Sequence, residues 1–155
     1  MLMRRRSRAP SGREITLSDV LRFCYDFSET DIQILLRLLK GNEYDVDTLA
    51  AEMSLSKATV NRSLNKLVEL GFASRRRAKK QSVGRPRSKY YISDKKEVLE
   101  RLRRDVEACT EAMRRELYAA LAEIEEHLSR TERVSSNMPG ERGKLKIHVP
   151  NPYRG

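Results

Sequence analysis

The chain has 155 residues, 35% charged and 39% hydrophobic, with a formal net charge of +10 at pH 7 and a pI of about 9.9. This is polar for a globular protein but too apolar for a disordered one, and the length fits one domain or a small domain with an extension. The excess of positive charge favours polyanionic partners, nucleic acid above all. No run of 18 apolar residues is present to span a membrane, and the basic start lacks the apolar segment of a secretory signal.

Residues 1–14 hold five Arg against one Glu, with Pro10 and Gly12 as helix breakers, so a flexible basic arm is expected. Leu17, Val20, Leu21, Cys24 and Phe27 then recur at helical spacing, and Thr16 or Ser18 can cap that helix. Ser28 and Asp31 have the spacing of a capping box. Behind them Ile32, Leu35, Leu36 and Leu39 form one face, which Ile34 and Leu38 widen into a central, buried helix. Gly41 is expected to end it in the left-handed conformation.

Residues 46–53 read as a short helix, with Asp47 as the cap and Leu49, Ala50 and Met53 facing inward. After a tight turn at 54–56, Ser56 caps a longer helix, 57–70, which Gly71 closes. Val60, Leu64 and Leu67 face inward, while Lys57, Thr59, Asn61, Arg62, Asn65 and Lys66 face outward. A strand at 72–76, a loop at 77–88 and a strand at 89–93 follow as a hairpin. Residues 75–93 contain eight Lys or Arg and no acid. Tyr90 and Tyr91 must point to opposite faces of the second strand, and Tyr91 is expected to anchor the hairpin on the core together with Phe72.

From 94 to 130 the pattern is that of one long helix. Leu99, Leu102, Val106, Cys109, Met113, Leu117, Ala120, Ile124 and Leu128 are spaced by three or four. That is one narrow seam, roughly 50 Å long at helical rise, with charge on every other side. Such a seam calls for a partner helix, from a second chain or, as the alternative, from this chain's own N-terminal helices. Residues 131–155 contain three Pro and three Gly and read as an extended tail, with a short strand possible at 145–149.

Cys24 and Cys109 are far apart in the sequence and each lies among apolar residues, so two buried free thiols are expected. His127 and His148 each stand alone. No group of His, Cys, Asp or Glu has metal-ligand spacing, and no nucleophile–base pair or phosphate-cradling loop is legible. Neither a cofactor nor an enzymatic activity is expected.

The segment 46–70 has the helix-turn-helix pattern, and its second helix presents residue types that bond base edges and phosphates in a major groove. LAAEMSLSKATVNRSLNKLVELGFASRRR resembles the core of winged helix-turn-helix regulators of the MarR and TrmB-like type, especially small archaeal ones. Ala50, Ser56, Thr59, Val60, Arg62, Leu67, Leu70 and Gly71 carry the likeness. It covers residues 16–95 well and the long helix loosely. Larger TrmB-like regulators carry a separate sugar-binding domain, for which this length leaves no room.

The resemblance implies a mainly α fold with a small β-hairpin: a winged domain over 15–93 and a dimerisation helix over 94–130. It makes the hairpin a wing. Arg75, Arg76, Arg77, Lys79, Lys80, Arg87 and Lys89 would neutralise phosphates, and Arg85 of Gly-Arg-Pro-Arg would enter a minor groove. The seam residues Leu99, Leu102, Val106, Cys109, Met113, Leu117, Ile124 and Leu128 would pair two copies. The expected function is a cytoplasmic, nucleoid-associated transcription regulator that binds duplex DNA as a homodimer. An architectural DNA-binding protein of low specificity is the alternative, and structured RNA a third possible partner of the hairpin.

Overall fold

The computed structural model describes residues 5–77 and 87–137. The chain divides into two compact units, Met1–Cys109 and Thr110–Gly155. The first contains helices α1 (Leu17–Tyr25), α2 (Glu29–Lys40), α3 (Val46–Met53) and α4 (Lys57–Glu69). It also contains strands β1 (Glu43–Tyr44), β2 (Ser74–Arg77) and β3 (Ser88–Tyr91). Helix α5 (Lys95–Asn137) supplies residues to both units.

Local polar chemistry sets the helix starts. Thr16 Oγ1 accepts the Asp19 N–H at 3.2 Å, while Asp19 Oδ2 accepts the Thr16 N–H at 2.8 Å. Ser28 and Asp31 repeat this exchange at 3.2 and 2.8 Å. Ser56 accepts the Thr59 N–H at 3.1 Å. Each cap satisfies a helix-start donor and contributes about 1 kcal/mol. The expected cap of α3 is corrected: Asp45, not Asp47, accepts the Thr48 N–H, at 2.7 Å. Two aspartates two residues apart are both plausible caps in sequence; Asp47 lies inside the first turn.

Gly71 follows α4 with φ 80°, the left-handed geometry that glycine adopts without penalty. Gly41 corrects the other expectation, because its backbone is extended (φ −100°, ψ −168°). Glycine suits that position for space: a Cβ there would lie 2.6 Å from the Tyr44 hydroxyl. Asp26 and Ser54 take the left-handed conformation between α1 and α2 and between α3 and α4.

Ile32, Ile34, Leu35 and Leu38 of α2 meet Leu49 of α3 and Val60, Leu64 and Leu67 of α4, all fully buried. Each such side chain stabilises the fold by about 1.5–3 kcal/mol through lost apolar hydration. Ala50 is small and buried beside them, as the crossing of α3 and α4 requires. Tyr25 stacks on Phe27 at 5.0 Å, and both present to Phe72 edge-on at 5.3 and 5.9 Å.

The sheet is antiparallel, in the order β1-β3-β2. Ser74 pairs with Tyr91, Arg75 with Tyr90, Arg76 with Lys89 and Arg77 with Ser88. Glu43 and Tyr44 pair with Tyr91 and Tyr90 on the other side. That register buries Tyr90 and leaves Tyr91 half-exposed. Tyr90 rather than Tyr91 is therefore the wing's anchor, in line with buried Phe72 and Ile92. The strands also start and end one or two residues from the expected bounds.

Residues 5–15 correct the picture of a free arm. The Ala9 N–H donates to the Arg13 carbonyl and the Ile15 N–H to the Ser7 carbonyl, each at 2.8 Å, and Arg8 bridges Glu14. The chain therefore reverses on itself just before α1.

The cysteines are corrected as well. Cys24 of α1 and Cys109 of α5 form a disulfide, with their Cα atoms 5.9 Å apart. A separation of 85 residues in sequence says nothing about distance once two helices pack. The first turns of α5 carry further ties. Val98 is buried and Leu102 packs against the core, while Leu99 is exposed. The Tyr25 hydroxyl donates to Asp105 at 2.7 Å. Burial, then this bond to a carboxylate, pushes the Tyr25 phenol well above its ordinary pKa. Arg101 lies over the Phe72 ring at 4.2 Å and donates to the Leu70 carbonyl. Cys109 and Leu102 thus belong to the intrachain side of α5 rather than to an open seam, and Val106 between them is half-buried.

Among the described residues, the second unit is the remainder of α5. Met113, Leu117, Leu121 and Leu128 are exposed, and Ile124 is half-buried. The helix runs to Asn137, past the expected end at 130, because no Pro or Gly intervenes before Pro139. The expected strand at 145–149 lies outside the described residues.

Candidate nucleic-acid interface

Helix α4 is amphipathic in a way its inner residues dictate. Val60, Leu64 and Leu67 turn to the core, with Ser63 buried beside them. At 100° per residue this turns Asn61, Arg62 and Asn65 away from the core, where all three are exposed, while Lys57 is exposed because it opens the helix. Their side chains offer donors and acceptors in the geometry that base edges and phosphates require.

Two of the expected outward residues have other partners. The Thr59 hydroxyl shares a 2.7 Å hydrogen bond with the Ser56 hydroxyl at the cap. Lys66 Nζ donates to the Asp26 carbonyl at 2.8 Å and to Asp31 at 3.2 Å, and lies 5.3 Å from the Phe27 ring centre. Asp31 is buried, which raises its pKa. The Ser63 hydroxyl, the Ser28 N–H and Lys66 outweigh that and hold it below its ordinary value. Lys66 is therefore a structural cation joining α4 to the α1–α2 corner.

The sheet carries the second group of cations. Arg75, Arg76 and Arg77 are exposed along β2, and Arg87 and Lys89 stand at the start of β3. Arg75 donates to the Ser88 hydroxyl at 3.2 Å. Lys79, Lys80 and Arg85 lie outside the described residues. A cleft of about 450 Å³ opens between the start of α4 and this sheet, with Asp47, Asn61, Arg75 and Arg87 among its lining residues.

The family model of the sugar-specific transcriptional regulator TrmB matches residues 21–96. A protein from the thermoacidophilic archaeon Sulfolobus tokodaii, of solved structure, is 36% identical. The match covers 66% of this chain and 93% of that one, with a TM-score of 0.53. The chain belongs to the TrmB family of transcriptional regulators. A possible transcriptional regulator from Methanosarcina mazei, of solved structure, shares the fold at 22% identity. That match covers 70% of this chain and 92% of that one, with a TM-score of 0.58. No curated protein matches the sequence.

One feature of this TrmB-family domain escaped the sequence reading. The segment Glu43-Tyr-Asp-Val-Asp47 sets an acid at every second position. Arg76 bonds Glu43 through two nitrogens, at 2.8 and 2.5 Å. Lys89 Nζ lies 3.2 Å from Asp45. Asp47 lies 3.1 Å from Lys57 Nζ and 3.7 Å from Arg87 Nη2. The Arg76 guanidinium holds Glu43 below its ordinary pKa, and Glu43 raises that of Arg76. Burial raises the pKa of Asp45, but the Thr48 N–H and hydroxyl and Lys89 more than reverse it. Alternation at 43 and 45 was the available signal, since it places those two acids on one side of an extended segment, with Asp47 following in the first turn of α3. The strand itself is too short to be read from propensity.

Among the described residues no group of His, Cys, Asp or Glu could hold a metal ion, and no helix is long and apolar enough to cross a membrane.

Proposed function

We propose that this TrmB-family regulator binds duplex DNA as a homodimer, with α4 in the major groove and the β2–β3 wing against the flanking backbone. The observation that carries the reading is the outer face of α4. Asn61, Arg62 and Asn65 are exposed together, with Lys57 exposed at the helix start, on a helix whose opposite side is locked into the core. Asn61, Arg62 and Asn65 read base edges, while Lys57 and the wing cations neutralise phosphates. Arg85 reaches a narrow minor groove beside that site. Met113, Leu117, Leu121, Ile124 and Leu128 supply the dimer seam. Their spacing of four, four, three and four keeps them on one helix face, and the exposed ones lack apolar cover in a single chain. Two half-sites held by one dimer raise the effective concentration of the second domain.

Mapping of bound DNA across a genome tests the reading. Sharp peaks sharing a two-fold-related motif are the expected result. A flat profile would replace it with an architectural role, and no enrichment of DNA would overturn it.

A further inference from the structure

The acids of the 43–47 segment hold their cations in different ways. Glu43 grips Arg76 within the sheet, and Asp45 is buried beneath Lys89 while it caps α3. Asp47 differs because it bridges two elements that face the same cleft. One partner, Lys57, begins α4; the other, Arg87, leads into β3. The Asp47 side chain remains 39% exposed, and those of Lys57 and Arg87 are 73% and 68% exposed.

We infer that Asp47 is a positioning residue that stands, in the free protein, where a DNA phosphate would stand between α4 and the wing, and so weakens sequence-independent binding. The inference rests on the DNA-binding reading above. A single carboxylate held by two cations from different elements has the charge and the acceptor oxygens of one bridging phosphodiester. Exposed pairs of this kind are weak, so a phosphate can replace the carboxylate. The carboxylate does not leave, however. It remains attached to the first turn of α3 and repels the incoming phosphates. Lys57, Arg87 and Asp47 together present one net positive charge instead of two. Arg62 and Asn65 stand further along α4, away from this bridge. Asp47 therefore lowers the common phosphate contribution to all duplexes and leaves the discrimination made by Arg62 and Asn65 unchanged.

The test uses the full chain and two duplexes of 30 base pairs: one of mixed sequence, one enriched from a random library by the wild-type protein. Binding is titrated across a series of KCl concentrations. Asp47→Asn should bind both duplexes about three- to tenfold more tightly at low salt, since two weak pairs no longer compete. The plot of log affinity against log salt should steepen by about 0.9 per protomer, one additional phosphate charge neutralised. Asp47→Glu should restore the wild-type slope. Asp47→Asn with Lys57→Gln should return to it as well, because one net charge remains. Thermal unfolding of Asp47→Asn should shift by no more than a few degrees, since the two exposed pairs are weak and Asp45 is the cap. A purely structural role would move the melting curve and leave the slope alone. Wild-type binding with an unchanged slope in Asp47→Asn overturns this inference only; a wild-type chain that binds neither duplex overturns the DNA reading with it.

Discussion

Breaking the Cys24–Cys109 bond should cost the first unit much of its stability. The bond closes a loop of 85 residues. In the chain-entropy treatment, that closure removes about 15 cal/mol/K from the unfolded ensemble, or about 4.5 kcal/mol at 25 °C. Native-state relaxation and residual unfolded structure reduce such figures, so a loss of about 2–4 kcal/mol is expected. For a unit of this size each kcal/mol moves the midpoint by roughly 4 °C, so the shift should be on the order of 10 °C. The assay is circular dichroism at rising temperature on wild type with and without reductant, and on Cys24→Ser with Cys109→Ser. Reduced wild type and the double variant should coincide, below the oxidised protein. Thiol titration of oxidised, denatured protein should find no free sulfhydryl, and non-reducing electrophoresis should show one chain. Two free thiols, or identical midpoints in both redox states, would refute the covalent link. A reductant-sensitive dimer band would reassign it to a bond between chains.

Leu117→Glu with Ile124→Glu should yield monomers by light scattering and sharply weaker DNA binding; a wild-type chain already monomeric at micromolar concentration removes the dimer proposal. Arg62→Ala should cost about 1–3 kcal/mol and relax preference at one base pair, as loss of a bidentate contact does; an equal loss on mixed-sequence DNA assigns it to the backbone instead. Lys66→Ala should destabilise the fold by about 1–3 kcal/mol, because buried Asp31 loses a charged partner, without altering the salt slope. A slope shallower by about one unit in a normally stable variant would return Lys66 to the DNA face. Asp31 and Asp45 have pKa values below their ordinary 3.8 in the fold. Their contribution is complete above the unfolded value and is lost as pH falls through the lower folded value. Urea midpoints should therefore decline below about pH 4, less steeply in Asp31→Asn; parallel curves would refute that linkage.

The helices were legible because their starts are written in neighbouring residues. Thr16 with Asp19, Ser28 with Asp31, and Ser56 before an apolar period each state a cap without reference to the rest of the fold. The outer face of α4 followed from its inner one by helical geometry alone. What stayed hidden depends on distant pairing. Strand β1 has two residues and exists because β3 offers a free edge. The side on which Tyr90 lies is fixed by that register, so choosing Tyr91 was an error of one residue with a complete reversal of face. Lys66 looked like any exposed cation until Asp31 and Asp26 were brought beneath it. Glu43 and Asp45 carried no local signal and Asp47 only that of a cap, because the partners of these acids stand up to 44 residues away.

The cysteine bridge also bears on how a newly made chain matures. Synthesis proceeds from the N-terminus, so Cys24 leaves the ribosome well before its partner has been added. During that interval its sulfur has no mate within the same polypeptide. The sequence contains two cysteines, so one intramolecular connectivity exists and shuffling among wrong internal pairs is impossible. The remaining error is capture by another nascent or unfolded copy, a second-order event that rises with expression level. Closure within the chain is first-order and does not. Dilution during refolding should therefore favour the correct product without any isomerase.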